Sequence, residues 1–114
     1  MKVKDVVEKL GLEVRAASGN TDKEVKGGYA SDLMSDVMAN SKPGDIWITL
    51  QIHQNIVAVA SLKDLAAIIV VQGRQPEKET VEKAEREGIP ILVSSLHTFE
   101  LIGRLYQAGI SGMR

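Results

Sequence analysis

The sequence predicts a layered α/β sandwich with a largely parallel sheet, and three observations carry that prediction. Ile46-Trp47-Ile48-Thr49-Leu50, Ala67-Ile68-Ile69-Val70-Val71 and Ile89-Pro90-Ile91-Leu92-Val93 are near-continuous apolar runs of strand length, the pattern of strands covered on both faces. Segments with helical spacing separate them, so strand, helix and strand alternate as they do in crossover units of a parallel sheet. Pro43-Gly44-Asp45, Pro76 and Gly88 punctuate the joints, where fixed or left-handed backbone is needed.

Taken in order, Val3, Val6, Val7 and Leu10 fall on one helical face before Gly11, which suits a left-handed C-cap. Leu12-Glu13-Val14-Arg15-Ala16 alternates as a strand, and Ser18-Gly19-Asn20-Thr21-Asp22 reads as a turn or loop. After the Gly27-Gly28 pair, Leu33, Met34, Val37 and Met38 recur at helical spacing, with Ser31 as expected N-cap, Asp32 in the first turn and an end near Asn40. The Trp47 run is then an interior strand, 55–64 a mostly buried helix and 67–71 a β-branched strand. Pro76 is expected in the first turn of the next helix, with Glu77 and Glu79 answering its dipole and Gly88 closing it. Ser95 is the expected cap of the last helix, whose inward stripe is read as Phe99, Ile102, Leu105 and Tyr106, with Gly109 at its end.

The 114 residues fit one domain spanning 1–114, large enough to bury roughly two-thirds of the unfolded surface. A formal charge of −1 from 14 basic and 15 acidic residues gives no electrostatic footprint for nucleic acid or an anionic membrane surface. Cysteine is absent, which removes thiolate nucleophiles, disulfides and the usual structural zinc ligands. The start is amphipathic rather than leader-like, and the longest apolar run, Leu65 to Val71, falls short of a membrane span. A soluble cytoplasmic protein is therefore expected.

In an open α/β sheet, ligands bind outside the carboxyl ends of the strands. Those ends are expected to carry Tyr29, Ser31 and Asp32; Gln51, His53 and Asn55; Gln72, Gly73 and Arg74; and Ser94 and Ser95. Helix N-termini there attract phosphate or carboxylate, and Arg74 adds a charge-assisted donor. A plainer reading accounts for the same residues: the serines cap helices, Asp32 answers a dipole and the glycines allow tight turns. His53 has no evident nucleophile beside it, and His97 lacks metal-ligand spacing, so neither a metal nor a cofactor is expected. Asp32 and Asp36 can share a helical face, which reads as capping or solvated surface rather than acid–base chemistry. Neither G-x-G-x-x-G nor G-x-x-x-x-G-K-[ST] occurs, and an enzyme is not expected. Trp47 reads as a core anchor; Met34 and Met38 suit core packing or a subunit contact.

The segment Val25 to Met38, the Trp47 strand with His53-Gln54-Asn55, and the Phe99-to-Tyr106 end together resemble a stand-alone DRTGG domain over nearly the whole chain. Gly27-Gly28 matches the family's paired glycine. Such domains are similar to the N-terminal, noncatalytic domain of HPr kinase/phosphorylase and occur in regulatory regions of some pyrophosphatases and in phosphotransacetylases. The resemblance implies a fold like that noncatalytic domain and a regulatory or ligand-sensing role. Some relatives bind adenine nucleotides, and some are encoded beside iron hydrogenases. Joined to the strand-end reading, this gives an expected site for an adenine nucleotide or another phosphorylated ligand at Gly27, Gly28, Ser31, Asp32, His53, Asn55 and Arg74. A homodimer is expected, since two-fold dimers are the commonest soluble assemblies. The alternatives are an adaptor with a protein partner in a hydrogenase-associated system, and a small hydrolase or transferase using His53.

Overall fold

Strands and helices follow in near-strict alternation in the computed structural model, which describes residues 1–113. Helix α1 spans Val3–Leu10 and strand β1 Glu13–Ala16. A 3₁₀ turn at Ser18–Asn20 precedes β2 (Gly27–Ala30), α2 (Met34–Asn40) and β3 (Asp45–Thr49). Then come α3 (Asn55–Leu62), β4 (Ala67–Val70), α4 (Lys78–Glu87), β5 (Ile91–Val93) and α5 (Thr98–Gln107). The strands form one sheet in the order β1-β5-β4-β3-β2. From β2 to β5 the pairing is parallel; β1 joins β5 antiparallel, with a register shift between Val14 and Ala16.

That order decides where the helices go. The strands β2, β3, β4 and β5 lie side by side in chain order, so crossovers of one hand place α2, α3 and α4 on the same face. Val37, Ile56, Val57, Ala60 and Ala84 accordingly share a core with Trp47, Ile68, Val70, Ile91 and Val93. The other face is left for α1 and α5, and Val3, Val6, Leu101 and Leu105 pack there against Ile46, Ile48, Ala67, Ile69 and Leu92. Successive strand residues thus serve opposite cores, which is why the strands had to be apolar throughout.

The left-handed caps at Gly11 (φ 64°) and Gly88 (φ 70°) close α1 and α4. A Cβ at Gly88 would meet Asn20 Nδ2 at 2.5 Å, so the Asn20 amide, which donates to the Gly88 carbonyl at 3.0 Å, would have to swing aside.

Several local expectations are corrected. Helix α2 begins at Met34 with Leu33 as N-cap, not at Ser31. The Ser31 hydroxyl accepts instead from Leu33 N–H, and Asp32 lies outside the helix with its carboxylate turned to the end of β3. Of the α2 stripe only Val37 is fully buried; Leu33 is 64% exposed and Met38 39%. Helix α4 starts after Glu77, so Pro76 precedes it, and α5 is capped at His97 rather than Ser95. The inward stripe of α5 is Leu101 and Leu105, while Phe99 is 92% exposed and Tyr106, 54% exposed, lies at the helix edge with its hydroxyl accepting from Gly112 N–H.

Candidate functional site

The carboxyl ends of the four parallel strands are tied to one another by hydrogen bonds that run from loop to loop. At the β2 end, Trp47 in the core donates from Nε1 to the Ser31 carbonyl at 2.8 Å. The next residue, Asp32, reaches across to β3, where its Oδ1 accepts from Thr49 Oγ1 at 2.9 Å and from Leu50 N–H at 2.7 Å. Gln51 returns the contact by donating from Nε2 to the Asp32 carbonyl at 2.9 Å. From the β4 end, Arg74 donates to the Leu50 carbonyl at 2.6 Å. The Leu50 backbone is therefore held on both sides, its N–H by a carboxylate and its carbonyl by a guanidinium.

The loops after β4 and β5 depart to opposite faces of the sheet, α4 covering one and α5 the other. Such a divergence is where an open sheet offers a crevice. Here Gly73 N–H donates to the Ser94 carbonyl at 2.8 Å and Gln72 N–H to the Leu96 carbonyl at 2.9 Å, so the two loops are laced together. This lacing uses a turn with left-handed backbone at Gln72 (φ 62°) and Gly73 (φ 66°). The first is a conformation that a non-glycine residue adopts only when its surroundings impose it. Side chains of Asp32, Gln72 and Arg74 stand exposed along the resulting rim.

Of the sequence-predicted residues, Ser31, Asp32 and Arg74 are thus brought onto one hydrogen-bonded rim. His53 and Asn55 stand at the start of α3, both exposed. The His53 Nδ1 accepts from Asn55 N–H at 3.1 Å, which leaves the proton of the neutral ring on Nε2. The imidazole thereby serves the open end of α3. Gly27 and Gly28 lie inside β2, paired with Asp45 and Ile46 at the start of β3, so they sit toward the opposite end of the strands. Gly28 lines a cleft of about 180 Å³ between β2 and α5, with Tyr29, Ala30, Ile48, Ile102 and Tyr106.

Sequence reasoning missed Thr49 as a site residue. Its signal was a hydroxyl closing an otherwise apolar strand, and it is 1% exposed, so its buried oxygen had to find a partner. Asp36, paired with Asp32 in the sequence reading, belongs to a different cluster: it accepts from Tyr29 Oη and from Asn40 Nδ2, each at 2.8 Å. The Tyr29 hydrogen bond is the main reason that the Asp36 carboxyl is held below the usual aspartate range and that the Tyr29 phenol is raised above its own.

The depressed Asp36 value makes this cluster stabilising above the ordinary aspartate range and progressively less so as pH falls through the folded value. The raised Tyr29 value makes it stabilising below the ordinary phenol range, and that contribution fades as pH rises through the folded value. Tyr29→Phe is expected to flatten both limbs of a stability–pH profile, measured as the urea midpoint at each pH; limbs identical to those of the parent would contradict it.

Among the described residues no three His, Asp or Glu side chains converge on a possible metal position. Nor is any helix among them long and apolar enough to cross a membrane.

The arrangement defines a doubly covered, mostly parallel α/β domain whose polar groups gather at one end of the sheet. Comparison with protein families matches residues 5–108 to the DRTGG domain, and the chain belongs to that family. No curated protein matches it. Among solved structures it is similar to the CBS and DRTGG domains of the regulatory region of Clostridium perfringens pyrophosphatase, complexed with the activator diadenosine tetraphosphate. The TM-score is 0.73 at 18% identity, over 93% of this chain and 46% of that one. This chain therefore spans about half the length of the pyrophosphatase region, and the likeness is one of fold.

Proposed function

We propose that this chain is a nonenzymatic regulatory module that works as a homodimer and binds an adenine nucleotide or a related phosphorylated molecule at the strand-end rim. The observation that carries the reading is the linkage of the β2, β3 and β4 ends through Asp32, the Leu50 backbone and Arg74. A ligand that competes for the Arg74 guanidinium alters a group already bonded to Leu50, whose N–H is bonded to Asp32. Local binding is thereby coupled to the β2–α2 connection through two hydrogen bonds.

In such a module the ligand acts by differential affinity, favouring one arrangement of the rim over another and so changing what the domain offers to a partner. Family membership supports a regulatory role, as does the nucleotide activator bound in the similar pyrophosphatase region. Similarity to the noncatalytic domain of HPr kinase/phosphorylase belongs to the same proposal.

A thermal-shift series with diadenosine tetraphosphate, ATP, AMP and inorganic phosphate tests it. Ligand at a hundredfold excess over its dissociation constant stabilises the native state by about 2.7 kcal/mol. The expected result is a concentration-dependent rise in Tm with a nucleotide that Arg74→Ala abolishes while remaining folded. No rise across the panel would overturn the nucleotide reading in favour of a protein-interaction adaptor.

A further inference from the structure

Strand β2 is a margin of the sheet, so half of its backbone groups face away from β3. Ser31 N–H donates to the Ile48 carbonyl on β3 at 3.2 Å, whereas Gly28 N–H turns outward to the Ser111 carbonyl at 3.2 Å. Alternation along the ladder turns the N–H and carbonyl of Ala30 outward as well, and among the described residues nothing bonds them. Ala30 is exposed and lines the cleft of about 180 Å³ between β2 and α5. Buried Ile48 and Leu105 form the floor of that cleft, with half-buried Ile102 and the Tyr106 ring beside them. At the Gly28 end the chain after α5 closes it, Ser111 holding Gly28 and Gly112 N–H donating to Tyr106 Oη at 3.1 Å. An apolar wall thus stands beside one unused donor and one unused acceptor of the same residue.

We propose that this cleft receives the base of the nucleotide, edge-on to Ala30, with the phosphates outside it toward the rim. The inference rests on the nucleotide reading above and places the base, which the rim residues leave unplaced. A strand residue normally exchanges both its N–H and its carbonyl with a single partner. The adenine edge offers the matching pair, the N6 amino donor beside a ring-nitrogen acceptor, while its face meets Ile102 and Tyr106. The cleft is smaller than the roughly 300–1,000 Å³ of sites that enclose a drug-sized ligand, so it takes one ring system and leaves the rest of the molecule outside. Ser31 and Asp32 follow Ala30 directly, and Arg74 at the β4 end stands two strands along, about 10 Å at ordinary spacing, within reach of a nucleotide's phosphate chain. An added peptide strand fits less well, because it needs the outward groups of alternate residues and the Gly28 position is taken by Ser111.

Amide exchange and thermal shift with ATP test the proposal. In the free protein the Ala30 N–H is expected to exchange freely; saturating ATP should protect it and inorganic triphosphate should not. Ala30→Pro removes that donor at an outward-facing edge position, where proline is tolerated, and is expected to raise the ATP dissociation constant about fivefold or more. Ile102→Trp leaves the Ala30 backbone untouched, fills the cleft from its wall and should weaken ATP likewise. N6,N6-dimethyl-ATP, which lacks the donor of the base, should bind the parent about as weakly as ATP binds Ala30→Pro. A rise in Tm with ATP that both variants keep in full, without protection of Ala30, would overturn the cleft as the base site and leave the Arg74-dependent reading standing. Absence of any nucleotide response in the parent would overturn both.

Discussion

Trp47→Ala is expected to remove most of the stability of the domain. The indole is fully buried, among the largest side chains of the core shared with α2, α3 and α4. Truncating a buried aromatic to alanine costs about 3–5 kcal/mol, against a total of about 5–15 kcal/mol for a typical domain. In a domain of this size that corresponds to a fall in Tm of about 12 °C or more, measurable by circular dichroism. A fall of only a few degrees would show that the core closes over the missing ring. Trp47→Phe separates packing from hydrogen bonding. It keeps an aromatic ring but loses the donor to the Ser31 carbonyl, a net loss of about 1 kcal/mol for the bond. Because that bond anchors the residue before Asp32, Trp47→Phe is also expected to weaken any nucleotide-induced rise in Tm relative to the parent. An unchanged ligand response would mean that the rim holds its shape without the core indole.

The second large effect is expected at Asp32. Its carboxylate accepts from the Thr49 hydroxyl and from Leu50 N–H, and Thr49 is 1% exposed. Asp32→Ala leaves the proton of that hydroxyl without an acceptor, while its oxygen still accepts from Gln51 N–H at 3.1 Å, and an unsatisfied buried donor costs about 1–3 kcal/mol. Asp32→Asn retains an oxygen in the same place and should lose less. Thr49→Val distinguishes the causes, because removing both partners of a buried bond is milder than removing one. The double variant Asp32→Ala, Thr49→Val should therefore be more stable than the sum of the single effects allows, by urea denaturation. Strict additivity would show that Asp32 and Thr49 are not coupled in solution. The Leu50 backbone adds a functional consequence: with its N–H released, the carbonyl that holds Arg74 moves as well, so Asp32→Ala is expected to blunt nucleotide binding without touching the guanidinium.

The fold was legible where one physical constraint dominated. The runs at Ile46, Ala67 and Ile91 could serve only as strands buried on both sides, and Gly11 and Gly88 marked helix ends because few other residues tolerate the left-handed conformation they adopt. The outer helix faces were less legible. In α5 both Phe99, Ile102 and Tyr106 and the pair Leu101 and Leu105 satisfy helical spacing, so periodicity alone could not say which stripe met the sheet. The inward stripe read from the sequence joins Leu105 to the aromatics, and the structure keeps Leu105 inside, adds Leu101 to it and leaves Phe99 and Tyr106 exposed. At α2, Ser31 and Asp32 were read as local caps because both residue types favour that role. A longer-range demand took precedence for Asp32: the hydroxyl of Thr49, buried on the neighbouring strand, needed an acceptor. The grouping of strand-end loops was readable in kind, through alternation, whereas their mutual hydrogen bonds depend on strand order, which a single sequence does not encode locally.

The strand order also carries a consequence for how the chain reaches its native state. Four neighbours, β2 to β5, can be added one after another as the chain proceeds, but β1, the earliest strand, has its place beside β5, the latest. Residues 17–26 must meanwhile carry the chain from one margin of the sheet to the other, roughly 19 Å at ordinary strand spacing. They are fastened on the way: Lys23 and Thr21 accept from the first residues of α1, and Asn20 and Lys23 donate to the Gly88 carbonyl at the corner between α4 and β5. The amino-terminal segment is thus a clasp that can shut only when the far end of the polypeptide is already in position. Its closure is the most entropically demanding loop of the whole assembly, so the slowest folding phase of this domain should belong to its oldest residues.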